Sequence, residues 1–173
     1  MKTIKIKTTG LSLKELKEKY ATGPSGFYPQ SWYENEKFYT EKPEAGEYEF
    51  IFDRDLCNKT YSEQLEKLPK GYSPTHIATI AEAILIHFKE TGERLLEDWY
   101  VRTSNLDSGG HRVYVGSFDS RGLDVNDFWD GSRDGIIGLS ASRKLDTGTL
   151  ETLESIESLP NELIINNIKY KKA

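Results

Sequence analysis

From Trp99 onward the hydrophobic period of this 173-residue chain switches to two, and this switch limits the folds that the sequence can adopt. Before it, apolar residues recur at helical spacing in "SPTHIATIAEAILIHFKETG", which predicts a long and largely buried helix. After it, apolar and polar residues alternate in "WYVRTS", "RVYVGSF", "GLDVNDF" and "IGLSAS", which predicts short strands joined as antiparallel hairpins. Helices gathered ahead of strands indicate an α+β fold.

Flanking residues predict where the elements begin and end. Ser12 is expected to cap a helix in "LSLKELKEKY", and "YSEQLEKLP" predicts a second short helix. In the long helix, Ser73 is expected as the cap, Pro74 in the first turn and Gly92 as the stop. "TIKIKT" and "YEFIF" predict two early strands. The aperiodic stretch between them predicts an ordered loop layer held by its aromatic residues, Phe27, Tyr28, Trp32, Tyr33 and Phe38.

The length of the chain predicts one domain with a substantial core. We expect this domain to cover residues 1–145 and residues 146–173 to form an appendage packed on it. In the appendage, "TLETLESIESLP" predicts a helix, and "NELIINNIKYKK" predicts a hairpin with Asn166 and Asn167 at its turn.

Charge and cysteine content exclude several classes of function. The net charge of −5 and the lack of a dominant basic patch argue against a nucleic-acid partner. A single cysteine, Cys57, excludes an internal disulfide and a multi-Cys zinc site, and we expect it to pack as a small apolar residue. No signal peptide or membrane-inserting segment is recognisable. The expected locations are therefore the cytoplasm, or a virion or cell surface reached through a partner.

No catalytic or metal-binding motif stands out. His76 and His87 lie about 16 Å apart on the predicted helix, too far for one metal ion. The stretch "DVNDFWDG" fails as an EF-hand, because Phe128 and Gly135 stand where calcium ligands are required. It is more simply a polar surface loop around a buried Trp129, with a looser calcium site as the alternative. We therefore expect no enzymatic activity, no cofactor and no metal.

The strand-rich part of the chain has an unusual composition. Lys and Glu fill 34 of the 173 positions, yet neither occurs in the 46 residues from Asp98 to Arg143. Charge itself persists there, since five of the seven Arg and seven of the ten Asp lie inside. Strands and turns disfavour Lys and Glu, but the strands predicted elsewhere in the chain use both. Secondary structure alone therefore does not explain the gap.

Randomised adenines in Asn codons would explain it. Codons AAC and AAT, varied at their adenines, encode Asn, Asp, Ser, Gly, His, Arg, Tyr and Phe among others, but never Lys, Glu, Gln, Met or Trp. The polar residues of the window all belong to the accessible set. They interleave with a scaffold of apolar residues and glycine, namely Val113, Val115, Phe118, Gly122, Leu123, Val125, Trp129, Ile137, Gly138 and Leu139.

The segments "WYVRTS", "RVYVGSF", "GLDVN" and "GLSASRKL" resemble the C-terminal part of the variable proteins of diversity-generating retroelements. The resemblance covers Leu95 to Leu145. In that family a reverse transcriptase rewrites adenine positions at the 3′ end of the gene. The resemblance implies a C-type lectin-like fold, related to the formylglycine-generating type, with antiparallel hairpins and two main helices. It also implies a variable region at about residues 99–145.

In that family the diversified residues form a ligand-binding surface on a fixed backbone, so the resemblance implies a macromolecular target, expected to be a protein. Tyr114, Phe128 and Arg133 are the expected anchors, because aromatic and Arg side chains dominate binding energy. The positions expected to be diversified are Asn105, Asp107, His111, Tyr114, Ser117, Asp119, Ser120, Asp124, Asn126, Asp127, Phe128, Asp130, Ser132, Arg133 and Asp134.

Two alternatives remain open at this point. The first is a lectin-like binding module whose surface is not diversified. The second is an enzyme of the formylglycine-generating type, which would need a reactive Cys or a copper-binding Cys pair. The lone Cys57, expected to lie far from the predicted cluster of strands, argues against that enzyme.

Overall fold

The structure is a computed structural model that describes residues 1–146 in full. Beyond them it describes only the backbones of two strands, Glu162–Ile165 and Ile168–Lys171, which pair antiparallel as predicted for this segment. The predicted turn residues Asn166 and Asn167 and the predicted helix in "TLETLESIESLP" lie outside the described residues.

The described residues contain ten strands: β1 (Lys2–Thr8), β2 (Gly46–Phe52), β3 (Ser73–Pro74), β4 (Tyr100–Leu106), β5 (Arg112–Asp119), β6 (Gly122–Phe128), β7 (Ile137–Leu139), β8 (Ala141–Lys144), β9 (Glu162–Ile165) and β10 (Ile168–Lys171). They form a first sheet of order β1-β2-β8-β3, a second sheet of order β6-β5-β4-β7, and the pair β9 and β10. The early strands predicted from "TIKIKT" and "YEFIF" are thus confirmed as β1 and β2.

The prediction of antiparallel hairpins after Trp99 is confirmed for β4, β5 and β6. It is wrong for "IGLSAS", which Ser140 divides into two strands. β7 runs parallel to β4, whereas β8 lies between β2 and β3 in the first sheet. The N–H and the hydroxyl of Ser140 both donate to the carbonyl of Arg102, at 2.9 and 2.8 Å. These two bonds fix the point where the chain passes between the sheets.

Four α-helices lie in residues 1–146: α1 (Leu13–Tyr20), α2 (Lys37–Thr40), α3 (Tyr61–Glu66) and α4 (Ile77–Thr91). α1 and α3 begin with the same device. Ser12 and Thr60 each accept a hydrogen bond from the backbone of the third helical residue, and that residue, a Glu in both, accepts one in return. The predicted cap at Ser12 and the predicted short helix after Thr60 are therefore confirmed.

The predicted start of the long helix is wrong. Its cap is His76, whose Nδ1 accepts a hydrogen bond from the N–H of Ala78 at 3.1 Å. Ser73 and Pro74 instead form β3 at the edge of the first sheet, a position that tolerates proline because no partner needs its missing N–H. The predicted stop is confirmed, since Gly92 ends the helix in the left-handed conformation at φ 74°.

The long helix α4 contacts β1 of the first sheet and β4 and β5 of the second, and α1 packs beside it. Ile80 and Ile84 of α4, Leu16 of α1, and Val101 and Val115 of the second sheet are all buried in one core cluster. These layers make the protein an α+β fold, as predicted. No helix in the described part of the chain is both long enough and apolar enough to cross a bilayer.

The predicted loop layer packs on β6. Phe27, Tyr33 and Phe38 are buried in the core, but Trp32 is 37 % exposed and α2 interrupts the segment. Two main-chain hydrogen bonds of 2.9 Å join this layer to Leu123: the N–H of Tyr28 donates to its carbonyl, and its own N–H donates to the carbonyl of Gly26. A Cβ at Gly122, where φ is +117°, would lie 2.5 Å from the backbone of Phe27. Glycine is thus needed where the loop layer meets β6.

Candidate functional site

The two faces of the second sheet differ in burial. Val113 and Val115 of β5 are fully buried, whereas Tyr114 between them points to the other side and is partly exposed, as the alternation predicted. We call that other side the outer face. Strand register places five partly or fully exposed side chains together there: Tyr100, Tyr114, Asp124, Asn126 and Phe128.

Three aromatic rings cross the outer face in a row. The centroids of Tyr100 and Tyr114 lie 4.8 Å apart with their planes at 79°. Those of Tyr114 and Phe128 lie 6.4 Å apart at 82°. The hydroxyl of Tyr100 donates to Asp124 at 3.0 Å. Edge-to-face pairs of this kind fix each other's orientation, so the face is a preorganised aromatic surface.

The segment 129–136, between β6 and β7, borders the outer face and is held mainly through its own carbonyls. The backbone N–H groups of Tyr61, Asn58 and Tyr100 donate to the carbonyls of residues 130, 134 and 136, at 2.9, 2.7 and 2.7 Å. The guanidinium of Arg102 donates to the carbonyl of residue 132 at 2.7 Å. All four donors lie outside the segment. Because every residue type offers a carbonyl, these bonds do not depend on the side chains of the segment.

Arg102 is the least accessible of these donors, with no exposed surface. Besides the carbonyl of Ser132, it donates to the carbonyl of Lys59 and the side-chain oxygen of Gln64, both at 3.0 Å. No carboxylate lies within salt-bridge distance of it in residues 1–146. Burial lowers the pKa of this guanidinium, yet three hydrogen bonds to oxygens still satisfy most of its donors.

Sequence reasoning missed the role of Arg102. The alternation in "WYVRTS" places it on the outer face, where a charged side chain is expected to be solvated. Its burial depends on α3 and on the segment 129–136, which are distant in sequence. The only sequence signal was an Arg in a strand otherwise made of apolar and hydroxyl residues.

Fourteen of the fifteen positions predicted to be diversified are exposed or partly exposed to solvent. Most surround the outer face, the β4–β5 turn and the segment 129–136. Ser117, Asp119 and Ser120 lie instead at the β5–β6 end. Ser117 follows a bulge and has φ 43°, a conformation that disfavours bulky β-branched residues. Exposed are His111, Ser120, Asn126 and Arg133, and partly exposed are Asp107, Tyr114, Ser117, Asp119, Asp124, Asp127, Phe128, Asp130, Ser132 and Asp134.

Asn105 does not fit this surface. It is 9 % exposed, and its side-chain oxygen accepts a hydrogen bond from the N–H of Ile77 at 2.8 Å. This bond satisfies a free donor in the first turn of α4. Asn105 therefore ties β4 to the start of α4, and its side chain is not presented to a ligand.

Trp129 also departs from expectation. The sequence predicted a polar loop around a buried Trp129, but its side chain is 69 % exposed. Trp129 is therefore an exposed aromatic group beside the positions predicted to be diversified.

Arg112 and Arg133, beside this surface, each have an acidic partner. Arg112 makes two bonds to Asp130, at 3.1 and 2.8 Å, and its guanidinium lies 4.0 Å from the ring centre of Tyr61. Arg133 pairs with Glu63 of α3, and this contact with the Thr60 backbone bond lowers the pKa of Glu63 to about 2. The predicted anchor Arg133 is thus engaged within the protein.

Three titratable side chains meet at the β4–β5 turn. Nδ1 of His111 lies 2.9 Å from Asp127 and 3.6 Å from Asp107. Burial and contact with Asp107 raise the pKa of Asp127. One ligand atom from each residue fits within 4.8 Å, close enough for one divalent cation. Two carboxylates beside an imidazole are also a common solvated cluster, and the His111–Asp127 contact already neutralises part of the charge when His111 is protonated.

Cys57 is buried and free, and burial raises the pKa of its thiol. Its position relative to the strands was predicted wrongly: a Cβ added at Gly138 would lie 3.5 Å from its sulfur, so Cys57 packs against β7. A buried thiol of raised pKa is a poor nucleophile. It packs as a small apolar residue, as the sequence indicated.

Comparison with protein-family models, with curated proteins and with solved structures finds no match to this chain.

Proposed function

We propose that this protein is a non-enzymatic binding protein of C-type lectin-like fold whose outer face and segment 129–136 bind a protein target. In this proposal the surface is diversified by adenine-directed rewriting of the gene, as the resemblance to retroelement variable proteins implies. The single observation that carries the proposal is the anchoring of segment 129–136 through the carbonyls of four of its residues. A surface held in this way keeps its backbone when its side chains change.

Side-chain chemistry supports the same proposal. The outer face offers Tyr, Phe, Asp and Asn groups on rigid strands, and Trp129 adds an exposed aromatic side chain beside them. Tyr and Trp provide large contact areas at low entropic cost, while short polar groups adapt their hydrogen bonds to the partner. The composition is that of a protein-binding surface rather than of a site for acid–base chemistry.

The gene itself provides the first test. We expect a second, near-identical copy of the DNA that encodes about Trp99 to Leu145, differing mainly at adenines and lying beside a reverse transcriptase gene. If no such copy exists and the gene is invariant in its population, diversification is rejected. A lectin-like binding module with a constant surface would then remain.

The second test concerns tolerance to variation. A library would vary the exposed predicted positions of segment 129–136 with codons in which the first two bases are random and the third is C or T. A matched library would vary buried Val113 and Val115 in the same way. We expect most clones of the first library to fold and few of the second, since exposed substitutions change stability by about 0.5 kcal/mol or less. Equal loss in both libraries would reject a permissive surface.

A further inference from the structure

The three rings of the outer face have the geometry of an open cage. Tyr100, Tyr114 and Phe128 follow one another at nearly right angles, and all three remain partly exposed. Neighbouring rings set edge to face present a negative π-face beside a second ring wall. Such arrangements attract ammonium and guanidinium groups, which lie over the ring within about 6 Å of its centre.

Two of the carboxylates around this cage have no basic side chain of the described residues within salt-bridge distance. Asp124 accepts a hydrogen bond from the Tyr100 hydroxyl, and Asp134 accepts one from the N–H of Ile136 at 2.9 Å. Neither has a Lys or Arg side chain within 4.0 Å in residues 1–146. Asp127, the third carboxylate nearby, contacts both His111 and Asp107.

The three carboxylates lie near Tyr114, the middle ring of the cage. Burial raises the pKa of the Tyr114 hydroxyl, and the neighbouring Tyr100, Asp124, Asp127 and Asp134 raise it further. The cage is therefore bordered by acidic side chains.

Cations of this region are in contrast already paired or buried. Arg112 is bound by Asp130, Arg121 by Asp119 and Arg133 by Glu63. Arg102 is buried and directed at carbonyl oxygens. The outer face thus presents aromatic rings and free carboxylates together, with its own cations engaged elsewhere.

We infer that the outer face binds a protein segment through one of its Lys or Arg side chains, which inserts among Tyr100, Tyr114 and Phe128 and is neutralised by Asp124 and Asp134. This inference rests on the proposed function, for which it names the chemistry of the partner. The rings would contribute cation–π attraction and the carboxylates charge-assisted hydrogen bonds. Complementary charge would also select against acidic partners.

The inference is tested with a library of random twelve-residue peptides displayed on phage and selected on the full chain. The selected peptides should be enriched in Lys and Arg relative to the unselected library. Their affinity should fall at least about tenfold in the double variant Asp124→Asn, Asp134→Asn, since a charged hydrogen bond is replaced by a neutral one. Asn keeps an oxygen for the Tyr100 and Ile136 donors, so the fold is preserved.

The control is Glu18→Gln, Asp55→Asn, which removes two exposed charges from elsewhere on the surface. It should bind the selected peptides within about twofold of the parent chain, and both variants should melt as the parent does. Selected peptides without basic enrichment, the absence of any selected peptide, or equal affinity of the double variant and the control would each overturn the inference. The proposed function stands or falls separately, on the gene copy.

Discussion

The first sheet and the outer face of the second sheet are stabilised in different ways. Around the first sheet, the contacts join pairs of side chains. Arg143 and the hydroxyl of Tyr72 both donate to the carboxylate of Glu49, and Lys144 donates to Glu44. Around segment 129–136, three backbone N–H groups and the Arg102 side chain donate instead to carbonyls of the segment. The first arrangement depends on residue identity at both ends of each contact. In the second, only the Arg102 contact depends on a side chain, and none depends on the side chains of the segment itself.

The largest effect is expected when Arg102, the side chain that binds a carbonyl of segment 129–136, is replaced. Replacing Arg102 by Met keeps a long side chain but removes three hydrogen bonds, to one buried and two partly buried oxygens. We expect the free energy of unfolding to fall by about 3 kcal/mol or more, because these acceptors are left unpaired. Urea denaturation would measure the change. A loss below about 1 kcal/mol would show that Arg102 does not hold the segment.

The next effect concerns the contact between the loop layer and β6. Gly122→Ala should cost about 2–3 kcal/mol, since the new methyl group meets the backbone of Phe27 at a positive φ. Gly110→Ala is the matched control: its φ is +81°, but no atom lies within 4 Å of the added Cβ. Thermal unfolding should therefore separate the two variants. Equal losses would mean that backbone strain alone, and not the close approach, requires glycine at position 122.

A much smaller loss of stability is expected from substitutions in segment 129–136 itself. Ser132→Asn combined with Arg133→Ser leaves the carbonyl of residue 132 in place for Arg102. We expect the melting temperature to change little, corresponding to about 0.5 kcal/mol or less. Ser140→Asn, at the buried serine between β7 and β8, should destabilise far more. A large loss in the first variant would contradict anchoring through the main chain.

The smallest effect is a change in titration. Glu15 and Glu63 each close a capping box, and a basic partner, Lys42 or Arg133, together with the cap lowers the pKa of each to about 2. Arg133→Ser should raise the pKa of Glu63 toward its ordinary value and leave Glu15 unchanged. Carbon-detected NMR titration would report both groups at once.

The sign of the accompanying stability change follows from these shifts. A carboxylate with a lowered folded-state pKa stabilises the protein above its unfolded pKa, and this contribution is lost as pH falls from about 4.3 through 2. The Arg133→Ser variant should thus lose less stability on acidification than the parent chain. Identical acid unfolding of the two would mean that the Arg133 contact is not formed in solution.

Local sequence patterns predicted the elements whose causes are local. Ser12 caps α1 and Gly92 ends α4 because their side-chain and backbone preferences act on the adjacent turn. Val113 and Val115 face the core because residues alternate along any strand. The solvent exposure of most positions predicted to be diversified followed from the same alternation and from turn chemistry.

What only the tertiary structure decided depends on partners distant in sequence. Pro74 lies in an edge strand because β8 pairs with it. Asn105 accepts a hydrogen bond from the first turn of α4 because β4 ends beside that turn. Arg102 is buried because α3 and segment 129–136 close over it, while the Trp129 indole lies against Gly131 and stays exposed. Periodicity determines which way a side chain points from its own strand or helix. Whether that direction leads to solvent, to a carbonyl or to a neighbouring ring is set by the packing of the whole chain.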